Sequence, residues 1–72
     1  MRAGAVGYGH MQQIAIDAKT IASVAYNEET GALHVWKRNG RHVIHYNISK
    51  GVYNNLVTAG EPDFYYETYI AD

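Results

Sequence analysis

An α+β domain is predicted: a three- to four-stranded, mainly antiparallel β-meander with one helix packed on one face and a short helix or strand at the C-terminal end. Three observations lead there. β-Branched and aromatic runs recur between residues 12 and 48, the pair Asn39-Gly40 separates two of them, and apolar residues follow Ser49 at helical spacing. The chain has 72 residues, 47% of them hydrophobic, which is a globular composition holding at most one domain. A domain this small buries only about 60% of the surface its unfolded chain exposes, so its core leaves little margin.

Residues 1–11 read as a disordered arm, because three glycines precede His10 and no periodicity runs through them; residues 12–72 form the domain. Met11 is an alternative start, and His10-Met11 matches a common cloning junction, which leaves open a vector origin for part of the arm. From Gln12 to Asp17, Ile14 and Ile16 alternate with small or polar neighbours, a short strand. Ile21 to Tyr26 makes the next strand, and Asn27-Glu28-Glu29-Thr30-Gly31 the turn after it. Ala32 to Trp36 and Arg41 to Ile48 then flank Asn39-Gly40, the strongest short-range hairpin signal.

If Asn39 and Gly40 are the two central turn residues, the register follows. Arg38 faces Arg41, Trp36 faces Val43, Val35 faces Ile44, His34 faces His45 and Leu33 faces Tyr46. The core face then carries Leu33, Val35, Ile44, Tyr46 and Ile48, joined by Val24 and Tyr26 if the Glu28–Gly31 turn closes symmetrically. The outer face carries Ser23, Ala25, His34, Trp36, Val43, His45, Arg38 and Arg41.

Ser49 is a helix N-cap by type, with Val52, Tyr53, Leu56 and Val57 at helical spacing and Gly60 placed for a left-handed C-terminal residue. Pro62 restarts the chain. Phe64 to Ile70 fits a helix or an edge strand, and Tyr66 and Ile70, four apart, favour the helix.

In the order of these elements and in its residues the chain resembles the KTSC domain, a small bacterial and phage domain also found at the C-terminus of some lysyl-tRNA synthetases. The resemblance spans roughly Ile14 to Ile70. It is densest over Ile21-Ala22-Ser23-Val24-Ala25-Tyr26-Asn27-Glu28-Glu29-Thr30-Gly31-Ala32-Leu33-His34-Val35, and continues through Asn39-Gly40, Tyr46-Asn47-Ile48 and Val52-Tyr53-Asn54-Asn55-Leu56. The chain departs from the family pattern at Ala18, at Val43-Ile44-His45 in place of a Tyr-x-Tyr, at Ser49 in place of a proline, and at Gly60-Glu61-Pro62-Asp63. The resemblance implies the α+β fold and, through the synthetase association, RNA or tRNA binding.

Chemistry is sparse. There is no cysteine, which excludes disulfides, thiolate metal sites and cysteine nucleophiles. No nucleophile–base pattern is present and the carboxylates are scattered, so no enzyme and no cofactor is expected. His34 and His45 become neighbours in the two-residue-turn register, while His42 points to the opposite face from His45; the pair falls short of the three or four ligands that zinc takes, so no zinc site is expected. Lys37, Arg38 and Arg41 form the one cationic cluster, and with Trp36, His34 and His45 beside it the outer face reads as a stacking platform for bases with guanidinium groups for phosphates. Three charges imply a salt slope of about −2 to −3. Phe64, Tyr65, Tyr66 and Tyr69 form the alternative surface, for a protein partner or a second copy of the chain.

The expected function is therefore a small non-catalytic binding module for RNA or tRNA, the alternative being an interaction or self-associating module such as a phage-type inhibitor or adaptor. The formal net charge of −1 weighs against binding by non-specific phosphate contacts. No apolar run approaches the ~20 residues a bilayer requires, so no membrane partner is expected, and the expected location is cytoplasmic.

Overall fold

Four antiparallel strands in the order β1-β2-β3-β4 make one sheet, and two helices follow it. The elements are β1 (Ile14–Ala15), β2 (Ile21–Asn27), β3 (Ala32–Lys37), β4 (His42–His45), α1 (Lys50–Thr58) and α2 (Pro62–Tyr69). The structure, a computed structural model, describes residues 11–71. The proposed N-terminal arm, apart from Met11, lies outside the described residues. Among those described, no helix is long and apolar enough to cross a membrane.

The β2–β3 pairing agrees with the symmetric turn: Val24 faces Val35 and Tyr26 faces Leu33. Asn27 starts the turn, its Oδ1 accepting from the Glu29 amide and its carbonyl from Gly31, which takes the left-handed φ of 76° that closes the loop. At the far end of the ladder a bulge lies between Ile21 and Ser23. One extra residue in β2 shifts the pleat, so Ile21 and Val24, three apart, are both fully buried.

The β3–β4 register differs from the expected one by a single residue. Leu33 faces His45, His34 faces Ile44, Val35 faces Val43 and Trp36 faces His42. The loop has three residues rather than two. Gly40 N donates to the Lys37 carbonyl and Lys37 N to the Arg41 carbonyl, and of the loop residues only Gly40 has positive φ, at 94°. A two-residue type I′ turn needs positive φ at both central residues, and Asn39 does not adopt it. Asn39 instead uses its Oδ1 to accept from the Arg41 amide. The Arg38 amide also bonds the Thr20 carbonyl, extending the β3 ladder towards the β1–β2 connection and holding Arg38 inside the loop.

A one-residue slip turns every β4 side chain over. Ile44, expected in the core, is 37% exposed, and Tyr46, expected beside it, is 68% exposed. Val43 and His45, expected outside, lie on the helix side. Asn47 then takes a left-handed φ of 61°, and Ile48 packs on the core as expected, its carbonyl accepting from the Tyr26 hydroxyl at 2.6 Å.

The core is Ile16, Ile21, Val24, Leu33, Val35, Leu56, Tyr66 and Ile70, drawn from the strands, both helices and the flanking loops. Burying side chains of this kind stabilises by roughly 1.5–3 kcal/mol each. Ser49 caps α1 as expected, its Oγ accepting from Val52 N at 3.2 Å. Gly60 is not the left-handed terminator: α1 ends at Ala59 in extended backbone (ψ 142°), and Glu61, which precedes Pro62, is kept out of the helical region by the proline ring. α2 is the helix that the Tyr66/Ile70 spacing predicts, with Pro62 in its first turn.

Candidate nucleic-acid interface on the open sheet face

Both helices pack on the face carrying Val24, Leu33 and Val35, which leaves the opposite face of the sheet without a helix among the described residues. Cross-strand pairing places Ser23 and Ala25 on that face with Trp36 and His34, and then His42 and Ile44. Gln13 reaches across its edge, its Nε2 donating to Ser23 Oγ at 2.7 Å.

Three rings stack in series there. Trp36 and His42, direct cross-strand partners, stack with centroids 4.5 Å apart and planes 11° from parallel. His34 lies diagonal to His42 with centroids 5.2 Å apart, and 5.8 Å from Trp36. His34 Nδ1 and His42 Nε2 are 3.0 Å apart, within hydrogen-bond distance. Partial burial, then the neighbouring His42, lowers the His34 pKa, so neutral His34 is favoured near pH 7.

The six residues proposed from sequence for nucleic acid therefore separate. His34 and Trp36 share the open face. His45 does not: it lies against α2, its Nε2 2.6 Å from the Tyr66 hydroxyl. Lys37 is on that same side, its Nζ 5.0 Å from the centre of the Tyr66 ring. Burial, then the Lys37 charge, lowers the His45 pKa, and burial raises that of Tyr66. Arg38 folds back, Nε donating to the Ala18 carbonyl at 2.8 Å and an Nη to that of Ile16 at 3.1 Å. Arg41 stays exposed at the hairpin tip with no side-chain partner among the described residues.

His42 is the platform residue that sequence reasoning missed. Strict alternation along β4 would have found it beside Trp36 had a three-residue loop been drawn.

The second proposed surface also divides. Tyr66 is a core residue, 1% exposed, whereas Phe64 and Tyr69 are 65% and 64% exposed. Tyr65 is half-buried and meets Tyr69 with centroids 4.8 Å apart and planes tilted by 39°.

Residues 17–72 match the KTSC domain family. The fold is similar to that of a KTSC domain protein from Yersinia pestis, with a TM-score of 0.81 at 16% sequence identity over 85% of this chain and 86% of that one. At that identity the likeness speaks for the fold alone. No curated protein matches the sequence.

Proposed function

The chain belongs to the KTSC domain family, and from that premise we propose that it is a non-catalytic cytoplasmic binding module that takes single-stranded RNA, including the unpaired segments of tRNA, on the open face of its sheet. The observation that carries this reading is the stacked series of His34, Trp36 and His42 on a face without a helix among the described residues. Unpaired bases stack on such rings, and each stacked base contributes about 1–3 kcal/mol without a requirement for sequence. The synthetase association that the family resemblance implies points to the same ligand class.

Phosphate contact is the lesser part. With Lys37 turned towards α2 and Arg38 held by two carbonyls, Arg41 is the cation of the basic tip left exposed without a side-chain partner among the described residues, although the register sets it opposite Lys37 and not on the face of Trp36 and His42. The salt slope expected from one contact to a single strand is about −0.7, well below that of a three-charge patch. The test is a titration of the chain with a short unstructured RNA, followed by Trp36 fluorescence. Saturable quenching in the wild type, weakened at least about tenfold when His34→Ala and His42→Ala are combined and only slightly in Arg38→Ala, supports the reading. Unchanged fluorescence at low salt sinks it.

A second reading rests on the exposure of Phe64 and Tyr69 on α2. These rings, with Tyr65, suit a protein partner or a second copy of the chain. Sedimentation at high concentration separates the self-associating version: a mass above one chain, reduced by Phe64→Ser with Tyr69→Ser, favours it over RNA.

A further inference from the structure

The same platform holds a pair of groups whose spacing suits another ligand. His34 Nδ1 and His42 Nε2 come from neighbouring strands and lie 3.0 Å apart on the open face, His42 exposed and His34 half-buried. Imidazole nitrogens bind late divalent ions at about 2.0–2.1 Å, so two of them at a right-angled bite are separated by about 2.9 Å, and at a tetrahedral bite by about 3.4 Å. The observed separation lies near the right-angled value. That bite belongs to the tetragonal geometry of Cu(II) and Ni(II), and Cu(II) heads the affinity order for nitrogen sites.

We propose that His34 and His42 form a two-histidine site for a late divalent transition-metal ion, Cu(II) above all, with the remaining coordination positions open to water. The two strands bring the pair together, and each ring turns its nitrogen from its neighbour towards the ion when the ion binds. The stacked indole of Trp36 limits the movement of the His42 ring, and its centroid is 4.5 Å away. Binding exchanges the mutual hydrogen bond for two metal bonds. Each ring then carries its single proton on the other nitrogen, Nε2 of His34 and Nδ1 of His42, and any third proton, present when one ring is cationic, is released to solvent. No carboxylate completes the site, since no group of three or more His, Cys, Asp or Glu is placed to hold a metal among the described residues. The ion is accordingly held by the pair and remains exchangeable.

The site is independent of the RNA reading, and its test uses the ion alone. The full chain without any affinity tag is titrated with CuCl2 at neutral pH while Trp36 fluorescence is followed, because a bound Cu(II) ion quenches a neighbouring indole. The expected result is saturable quenching at one ion per chain, with MgCl2 inert. His34→Ala and His42→Ala should each weaken binding about tenfold or more, at least what loss of a mere supporting group costs a metal site. His45→Ala and His10→Ala should leave it unchanged. Zinc, being diamagnetic, provides a second readout, with ring resonances of His34 and His42 shifting ahead of those of His45. Quenching that does not saturate, that survives both platform variants, or that is lost in His10→Ala would overturn the proposal, as would zinc shifts confined to other histidines.

Discussion

His34 faces Ile44 across the β3–β4 ladder, and so its imidazole meets His42 on the diagonal and not His45. That relation turns on one residue of loop. With Arg38, Asn39 and Gly40 all in the turn, β4 presents His42 and Ile44 to the open face and sends Val43 and His45 towards the helices. The ring protons of His42 should therefore be shifted upfield by the Trp36 indole stacked at 4.5 Å, and should show cross-strand contacts to it. Trp36→Leu should erase that shift and leave His45 untouched. A Trp36 contact to Val43 in its place would restore the two-residue turn.

The loop register depends on Gly40, whose φ of 94° is rarely adopted by residues with a Cβ. Nothing lies within 4 Å of a Cβ built there, so the cost of Gly40→Ala is conformational alone, about 1 kcal/mol by urea unfolding. Gly31→Ala should cost about the same, because its φ of 76° is likewise left-handed and its Cβ would make only ordinary van der Waals contact, 3.4 Å from the Ile48 carbonyl oxygen. A cost at Gly31 exceeding that at Gly40 by more than about 2 kcal/mol would contradict a purely conformational origin.

The contrast between the two turns explains what the sequence could and could not reveal. Val24 with Val35 and Tyr26 with Leu33 were legible because alternation on both strands agreed with a symmetric turn. Ser49 as cap and the Tyr66/Ile70 pair were legible for the same reason, a local signal matching a periodic one. On β4 both parities carry one aliphatic residue and one histidine, Val43 with His45 or His42 with Ile44, so alternation there selects neither face. The deciding contacts are non-local: the Arg38 amide on Thr20 and its guanidinium on the Ala18 and Ile16 carbonyls. The candidate site inherited that ambiguity. Trp36 and His34 lie on β3 and were placed correctly, His42 was missed, and Lys37, Arg38 and His45 turned out to face α2 or the backbone.

The burial of His45 beside Lys37 sets a pH dependence. Burial and Lys37 lower the His45 pKa in the fold, so below the unfolded value of about 6.5 the unfolded chain binds the proton more readily. His45 thus contributes stability that is complete above that value and is lost as pH falls through the lower, folded one. His34 is shifted in the same direction and adds to the slope. Thermal unfolding should show a decline below about pH 6.5 that His45→Gln makes shallower. Tyr66→Phe keeps the ring packed but removes the partner of Nε2, and should cost about 1 kcal/mol at pH 7.5. A melting temperature rising as the pH falls from 7 to 5 would contradict the sign.

Asp63 acts on a second, more acidic range. From the first turn of α2 its Oδ2 accepts from Lys19 N at 2.7 Å, and its Oδ1 from Thr20 N at 3.0 Å and from Thr20 Oγ1 at 2.5 Å. These bonds, the Thr20 hydroxyl foremost, hold its carboxyl below the usual carboxylate range. The sign is the reverse of a raised group: stability is present above the unfolded value of about 3.9 and is lost as pH falls through the folded one. The contact is exposed, so screening by water keeps its worth modest, on the order of 1 kcal/mol for Asp63→Ala. Its structural reach is greater. The same connection that Asp63 clamps supplies the Ile16 and Ala18 carbonyls that anchor Arg38, so α2 holds the loop that holds the hairpin. Asp63→Ala should therefore raise hydrogen exchange at Lys19 and Thr20 and, through that connection, at Arg38. Asp63→Asn, which keeps one accepting oxygen for Thr20, should spare Thr20 more than Lys19. Exchange at Arg38 unchanged in Asp63→Ala would show that the hairpin is held by its own turn alone.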